Sequence, residues 1–144
     1  MAKNQVARSV VIDAPAERIF GIIAAPHRHP DFDGSGSVHG LIEGPERLGP
    51  GDRFGMRMRI GLPYRMSNRV VEFEENRVLA WRHFGRHRWR WELQPLADGA
   101  TRVTETFDYS YAVPFLYRLA GWPARNARAI EETLVRLKAL AEDR

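Results

Sequence analysis

Polar and apolar positions alternate through the middle of the chain. Phe54 and Met56 alternate with Arg53 and Arg57, and the same period of two recurs in several later segments up to Tyr111. Turn segments that contain glycine lie at residues 61–63, 84–86 and 97–99. Successive side chains of a strand point to opposite faces, so this pattern predicts an antiparallel meander with one apolar face.

The last segment, Pro114 to Arg144, has a helical spacing instead. Its apolar residues recur at steps of three and four, which predicts an amphipathic helix with one apolar stripe. The stripe consists of Leu116, Ala120, Ala127, Ile130, Leu134, Leu137 and Ala141. We expect Gly121-Trp122-Pro123 to divide this helix into a short and a long segment, because proline lacks the N–H that a helix interior needs.

The N-terminal region predicts one strand followed by short helices. Val10, Val11 and Ile12 favour a strand, and Pro15 suits the first turn of a helix that Pro26 then ends. One more helical turn is expected before Asp33. A weak strand is expected around Val38 and Leu41, ahead of a loop rich in glycine and proline.

Three-residue hairpin loops bring the inward residues of the meander into register. Met58 then faces Met66, Met56 faces Asn68, Trp81 faces Trp89, Leu79 faces Trp91, Trp89 faces Phe107, Trp91 faces Glu105, and His87 faces His83 and Tyr109. Val70-Val71 breaks the alternation and predicts a bulge. Burying an unpaired polar group costs about 1–3 kcal/mol, so a face that carries Asn68 and Glu105 is expected to border water or a ligand.

Several ordered motifs resemble one known family. They are Asp13-Ala14-Pro15-Ala16-Glu17-Arg18-Ile19-Phe20, His29-Pro30-Asp31-Phe32, Leu48-Gly49-Pro50-Gly51-Asp52-Arg53-Phe54, Gly99-Ala100-Thr101-Arg102-Val103-Thr104 and the long C-terminal helix. In this order they resemble the polyketide cyclase/dehydrase and lipid-transport family of the START-like, helix-grip (SRPBCC) superfamily. The resemblance implies an α+β fold: a seven-stranded antiparallel sheet curled around a long C-terminal helix, two short helices after the first strand, and a cavity for an apolar ligand.

Composition narrows the class of protein. The 144 residues include 44% hydrophobic and 28% charged residues, which predicts one globular domain over 1–144. We expect no membrane span and no signal peptide, hence a cytoplasmic location, as a monomer or homodimer. With 0 Cys the sequence holds no thiol nucleophile or thiolate metal site. The net charge of +4 only weakly favours anionic partners.

The leading hypothesis is binding of a small, largely apolar molecule, aromatic or lipid-like, between the sheet and the C-terminal helix. Its predicted binding residues are Met56, Met58, Met66, Asn68, Trp81, His83, His87, Trp89, Trp91, Glu105, Phe107, Tyr109, Leu119 and Ile130. Simple filling of the core is the alternative role for the tryptophans and methionines.

A second hypothesis is a cyclase or aromatase that uses the same cavity. Glu105 and His83 are its candidate catalytic residues, because a carboxyl group or an imidazole in an apolar cavity can transfer a proton. Pairing of Glu105 with a buried cation is the structural alternative.

Two further sites were considered. A metal site is one hypothesis, because four potential ligands lie close together in the sequence: His27, His29, Asp31 and Asp33. However, Ile42 stands where a calcium loop needs glutamate, so no metal and no cofactor are expected.

Outward arginines could make the sheet an interaction module for an anionic partner, although no nucleic-acid motif accompanies them and no nucleic acid is expected. These arginines are Arg53, Arg57, Arg59, Arg65, Arg69, Arg86, Arg88, Arg90 and Arg102.

Overall fold

The computed structural model describes residues 4–83 and 86–143, apart from the side chains of Ile42 and Ile60. Its strands form one antiparallel seven-stranded sheet in the order β1-β7-β6-β5-β4-β3-β2. The strands are β1 (Gln5–Ile12), β2 (Val38–Glu43), β3 (Arg53–Ile60), β4 (Leu62–Glu74), β5 (Val78–Arg82), β6 (Arg88–Pro95) and β7 (Thr101–Asp108). The helices are α1 (Ala16–Ile23), α2 (His29–Phe32), α3 (Pro114–Leu119) and α4 (Trp122–Glu142), with a 3-10 turn at Pro26–Arg28. The predicted α+β helix-grip architecture is confirmed.

The first helices form where the sequence predicts them. Pro15 occupies the N-cap of α1 in an extended conformation, and Glu17 lies in the first turn, where the helix dipole favours a negative charge. Ile19, Phe20 and Ile23 give α1 its buried face. The 3-10 turn and α2 follow directly and place the helical segment beside the C-terminal helix α4.

The register between β3 and β4 differs from the prediction. Met58 pairs with Tyr64, and Met56 with Met66. The prediction assumed a three-residue loop, whereas the chain reverses around Gly61 alone, with φ of 74°. Glycine adopts this left-handed conformation without steric cost. The register therefore moves by an even number of residues, which leaves every side chain on its predicted face.

The remaining hairpins confirm their predicted registers. Trp81 pairs with Trp89, and Trp91 lies between Leu79 and Glu105 on its two neighbouring strands. The register between β4 and β5 shifts just after Val70, where the broken alternation predicted a bulge. The predicted turn at 84–86 lies partly outside the described residues.

Gly121 separates the two C-terminal helices. Its φ of 74° ends α3, and Pro123 lies in the first turn of α4, where its missing N–H breaks no helical hydrogen bond. The predicted stripe is correct along α4, where Ile130, Leu134 and Leu137 are buried. It is wrong in α3: Leu116 is exposed, because the break at Gly121 changes the helix direction and the stripe does not continue across it.

The α4 helix packs against β1 and β7 and closes the fold over the inner face of the sheet. The loop after α2 approaches it closely at Gly34, whose N–H donates to Thr133 Oγ1 (2.8 Å). A Cβ atom at Gly34 would lie 2.5 Å from the Thr133 backbone nitrogen, so only glycine fits there. This contact fixes the loop at the edge of the space between α4 and the sheet.

Candidate functional site

A cavity of about 290 Å³ lies between the inner face of the sheet and α4. Side chains from β3 to β7 form one wall, and α4 and the segment around α2 form the other. Aromatic and methionine side chains dominate the lining, with a few polar groups among them. This composition is typical of binding sites for small organic molecules.

All predicted ligand-binding residues line this cavity except Tyr109 and Leu119. Tyr109 follows the end of β7 and is buried in a ring stack, with its centroid 5.6 Å from Phe107 and 6.0 Å from Tyr117. Leu119 is 74% exposed, because α3 ends before the chain turns into α4 and presents this residue to solvent. We correct the prediction at these two positions.

Several lining residues were missed by the sequence reasoning. Some come from the segment around α2: His29, Phe32, Asp33, Ser35, Ser37 and Val38. Others come from α4: Trp122, Arg125, Asn126, Ala129 and Thr133. The α4 residues on this wall recur at steps of four, three and four: Trp122, Asn126, Ala129 and Thr133. This is the spacing of one helical face, but the sequence prediction looked for large apolar residues, and most of these residues are small or polar.

His29 belongs to the aromatic wall. Its ring stacks on Trp81 with centroids 5.0 Å apart, and Phe54 meets both rings edge-on at 5.6 Å. Its Nε2 lies 2.8 Å from the Ile23 carbonyl oxygen, which can only accept, so Nε2 carries the proton. Burial lowers the pKa of His29 to about 4, and the imidazole is therefore neutral at physiological pH.

His83 and His87 lie side by side at the end of β5 and β6, with ring centroids 4.6 Å apart. The Trp89 indole N–H donates to His83 Nε2 (3.0 Å), and His87 Nδ1 lies 2.7 Å from the Tyr117 hydroxyl. Burial, with a smaller effect of His87, lowers the pKa of His83 to about 3, and burial lowers the pKa of His87 to about 4. Because Nε2 of neutral His83 accepts from Trp89, its proton lies on Nδ1.

Glu105 is buried on β7, directly opposite Trp91 on β6. Burial raises its pKa well above the usual value, and the nearby Asp33 carboxylate raises it further. No cation among residues 4–83 and 86–143 forms an ion pair with it. Burial therefore favours the neutral carboxylic acid form of Glu105, which can donate as well as accept a hydrogen bond.

Asp33 has a structural role at the cavity edge. Its carboxylate accepts from the Ser35 hydroxyl (2.8 and 2.7 Å) and from the backbone N–H groups of Ser35 (3.2 Å) and Val38 (3.1 Å). Within the described ranges, no group of three or more His, Asp or Glu side chains could hold a metal ion. None of the helices there is both long and apolar enough to cross a membrane.

Three of the predicted outward arginines and Arg82, which the sequence prediction did not include, pair in register across neighbouring strands. Arg69 on β4 pairs in register with Arg53 on β3 and Arg82 on β5, and Arg82 pairs in turn with Arg88 on β6. We call these four residues the arginine row. Arg90 differs, because Glu72 (2.8 Å) and Glu92 (2.7 Å) neutralise it.

Comparison with known proteins agrees with this architecture. A family model described as polyketide cyclase / dehydrase and lipid transport matches residues 3–142. The chain belongs to this family. An uncharacterised Mycobacterium tuberculosis protein, Rv0088, is 44% identical over 140 residues, which cover 93% of this chain and 62% of that protein. The chain thus spans about three fifths of the length of the curated relatives it matches.

Solved structures share the fold at low sequence identity. Protein NE0264 from Nitrosomonas europaea superposes with a TM-score of 0.74 at 17% identity, covering 97% of this chain and 95% of that one. Protein CV1439 from Chromobacterium violaceum gives 0.73 at 19% identity, covering 98% and 99%. At this identity the likeness shows the helix-grip fold alone.

Proposed function

We propose that this protein binds a small, largely apolar molecule in the cavity between the sheet and α4. The observation that carries the proposal is the cavity itself: about 290 Å³ lined mainly by aromatic and methionine side chains. Membership in a family described by cyclase, dehydrase and lipid-transport activities supports the same class of ligand. The tryptophans provide flat apolar surface, and the methionines adapt to ligand shape.

Blocking the cavity tests this proposal. Ala129 on α4 lines the cavity, so Ala129→Phe places a ring in the space for the ligand. Ala139, exposed further along the same helix, gives the control Ala139→Phe. Titration with the uncharged fluorescent probe N-phenyl-1-naphthylamine should show binding to the wild type and the control, with at least about tenfold weaker binding to Ala129→Phe.

Native mass spectrometry of protein purified from its host adds an independent readout. A molecule retained by the wild type and the control, but lost from Ala129→Phe, supports the cavity as its site. A wild-type protein that is empty and does not bind the probe contradicts the proposal.

The second candidate function is catalysis, in which the cavity folds a reactive chain and Glu105 transfers a proton. One observation favours it: Glu105 places a buried carboxyl group in an apolar cavity. Glu105→Gln separates the two functions. A binding protein loses little affinity, whereas an enzyme that uses the carboxyl group loses turnover by orders of magnitude while still binding its substrate.

A further inference from the structure

Four buried polar atoms of residues that line the cavity have no hydrogen-bond partner within residues 4–83 and 86–143. We call them the open polar atoms: Asn68 Oδ1, His83 Nδ1, Trp91 Nε1 and Glu105 Oε1. Buried polar groups in folded proteins are normally paired. A purely apolar ligand offers these atoms no hydrogen bond and leaves them unpaired, whereas a ligand with a matching polar group gains by pairing them. Their chemistry therefore says which groups a ligand must carry.

Trp91 and Glu105 are neighbouring residues of the cavity lining, and each contributes one open polar atom. They face each other across β6 and β7. The Trp91 indole N–H can only donate, and a buried carboxyl group without a cationic partner in the described chain is most stable as the neutral acid, whose O–H also donates. This part of the wall thus presents donors to an acceptor atom of the ligand.

His83 and Asn68 contribute the other open atoms. Trp89 occupies His83 Nε2, so the open Nδ1 of the neutral ring is a donor. The Asn68 amide nitrogen is directed at the Phe54 and Met66 carbonyl oxygens (3.5 and 3.4 Å), which leaves its Oδ1 as the acceptor. Donors therefore outnumber acceptors among the open polar atoms.

The charges around the cavity favour an uncharged ligand. The Asp33 carboxylate is already bound by Ser35 and Val38, so it is poorly placed to serve as the counter-charge of a cation. Among the described lining residues, Arg125 is the one with a permanent positive charge, and it is exposed. The interior thus offers a charged ligand little compensation for its lost hydration.

We propose that the ligand is uncharged and carries a carbonyl oxygen, as a ketone, quinone or ester, that accepts hydrogen bonds from Trp91 and Glu105. This inference rests on the proposed binding function and adds the chemical class of the ligand. An apolar body fills the aromatic and methionine surface, and the carbonyl oxygen fixes its orientation.

Three compounds with one carbon skeleton test the inference: 2-ethylnaphthalene, 2-acetylnaphthalene and 1-(2-naphthyl)ethylamine. They present a hydrocarbon, a ketone and, at neutral pH, an ammonium group at the same position. Displacement of N-phenyl-1-naphthylamine measures their affinities. We expect the wild type to bind the ketone about tenfold more tightly than the hydrocarbon, and the ammonium compound most weakly.

Variants then assign the preference to the two donors. Trp91→Phe keeps the ring and removes the N–H, and Glu105→Leu removes the carboxyl group, so both should reduce the ratio of ketone to hydrocarbon affinity towards one. Glu105→Gln keeps a donor and should retain most of the ratio. Trp81→Phe is the matched control: Trp81 lines the same cavity, but its N–H is not an open polar atom. Trp81→Phe should change both affinities by the same factor, so the ratio should stay the same.

The outcomes separate this inference from the proposed function. Equal binding of ketone and hydrocarbon by the wild type overturns the carbonyl preference and leaves the apolar cavity intact. If the ammonium compound binds most tightly, the carbonyl preference is overturned, because an ionised Glu105 would then be the group that attracts the ligand. A ratio that survives both Trp91→Phe and Glu105→Leu assigns the preference to other residues and also overturns it. Failure of all three compounds to bind contradicts the proposed function itself.

Discussion

His29 illustrates, at the scale of one residue, how the cavity wall determines protonation. The ring lies between Trp81 and α1, and its Nε2–H donates to the backbone carbonyl of Ile23 in α1. Protonation would place a charge in an apolar wall, and this loss of hydration outweighs the favourable effects of the Ile23 carbonyl and the Asp33 carboxylate, while His27 also opposes it. The neutral imidazole thus acts as an aromatic wall residue that also satisfies the Ile23 carbonyl.

This environment predicts a dependence of stability on pH. The pKa of His29 is about 4 in the folded protein and about 6.5 when unfolded, so acidification protonates the unfolded state first. The stabilising contribution is complete above about pH 6.5 and is lost as the pH falls towards 4, by about 3 kcal/mol in all. His29→Gln should reduce the fall in the free energy of unfolding over this interval, measured by urea denaturation at several pH values.

The exposed His27 provides the control for this experiment. His27→Gln should follow the wild-type pH dependence closely. An unchanged pH dependence in His29→Gln would mean that other groups, His83 and His87 first among them, account for the acid sensitivity.

At the scale of elements, α4 provides the apolar stripe that the sheet covers, and α3 does not extend it. Leu137 of α4 is 0% exposed and Leu119 of α3 is 74% exposed, although both lie in the region that the sequence predicts as one interrupted helix. The break at Gly121, where the φ angle is 74°, accounts for the difference. Large apolar residues of α3 are therefore left on the surface.

Two leucine truncations test this assignment. Leu137→Ala should lower the free energy of unfolding by about 2–5 kcal/mol, because it removes buried methyl groups and leaves a cavity. Leu119→Ala should change it by less than about 0.5 kcal/mol. Urea denaturation measures both, and similar losses for the two variants would contradict the packing described for α3.

At the scale of the whole molecule, the arginine row sets the outer face of the sheet apart from the inner one. Its four members lie directly opposite one another across four strands. Like charges in such positions destabilise a sheet, and the inner face has to compensate for that repulsion. The row crosses the sheet behind the cavity wall, since its residues alternate with inward Phe54, Asn68 and Trp81.

Reversing one charge in the row should relieve the repulsion. Arg69→Glu replaces two like-charged pairs by two opposite-charged pairs and should raise the free energy of unfolding by about 0.5–1 kcal/mol, with a smaller gain in 1 M salt. Arg102→Glu is the control, because Arg102 lies opposite Val11 and Gln94. If both variants change stability equally, net charge rather than the row is responsible.

The local pattern was sufficient to predict much of the architecture. The alternation around Trp81, Trp89 and Trp91 places these residues on one face, and an error of two residues in the register, as between β3 and β4, leaves the face unchanged. For the same reason Glu105 was placed on the inner face correctly. The ordered motifs, through their family resemblance, implied the number of strands and the helix-grip topology, which the structure confirms.

Tertiary structure alone decided the details of the cavity. A single glycine set the β3–β4 register, and another set the direction of α3, because positive φ angles depend on how the flanking elements pack. The contribution of His29, Thr133 and Arg125 to the wall follows from the approach of α2 and α4 to the sheet, which brings together residues far apart in sequence. The protonation of His83 and Glu105 was likewise undetermined by the sequence, since it depends on burial and neighbours that exist only in the folded protein.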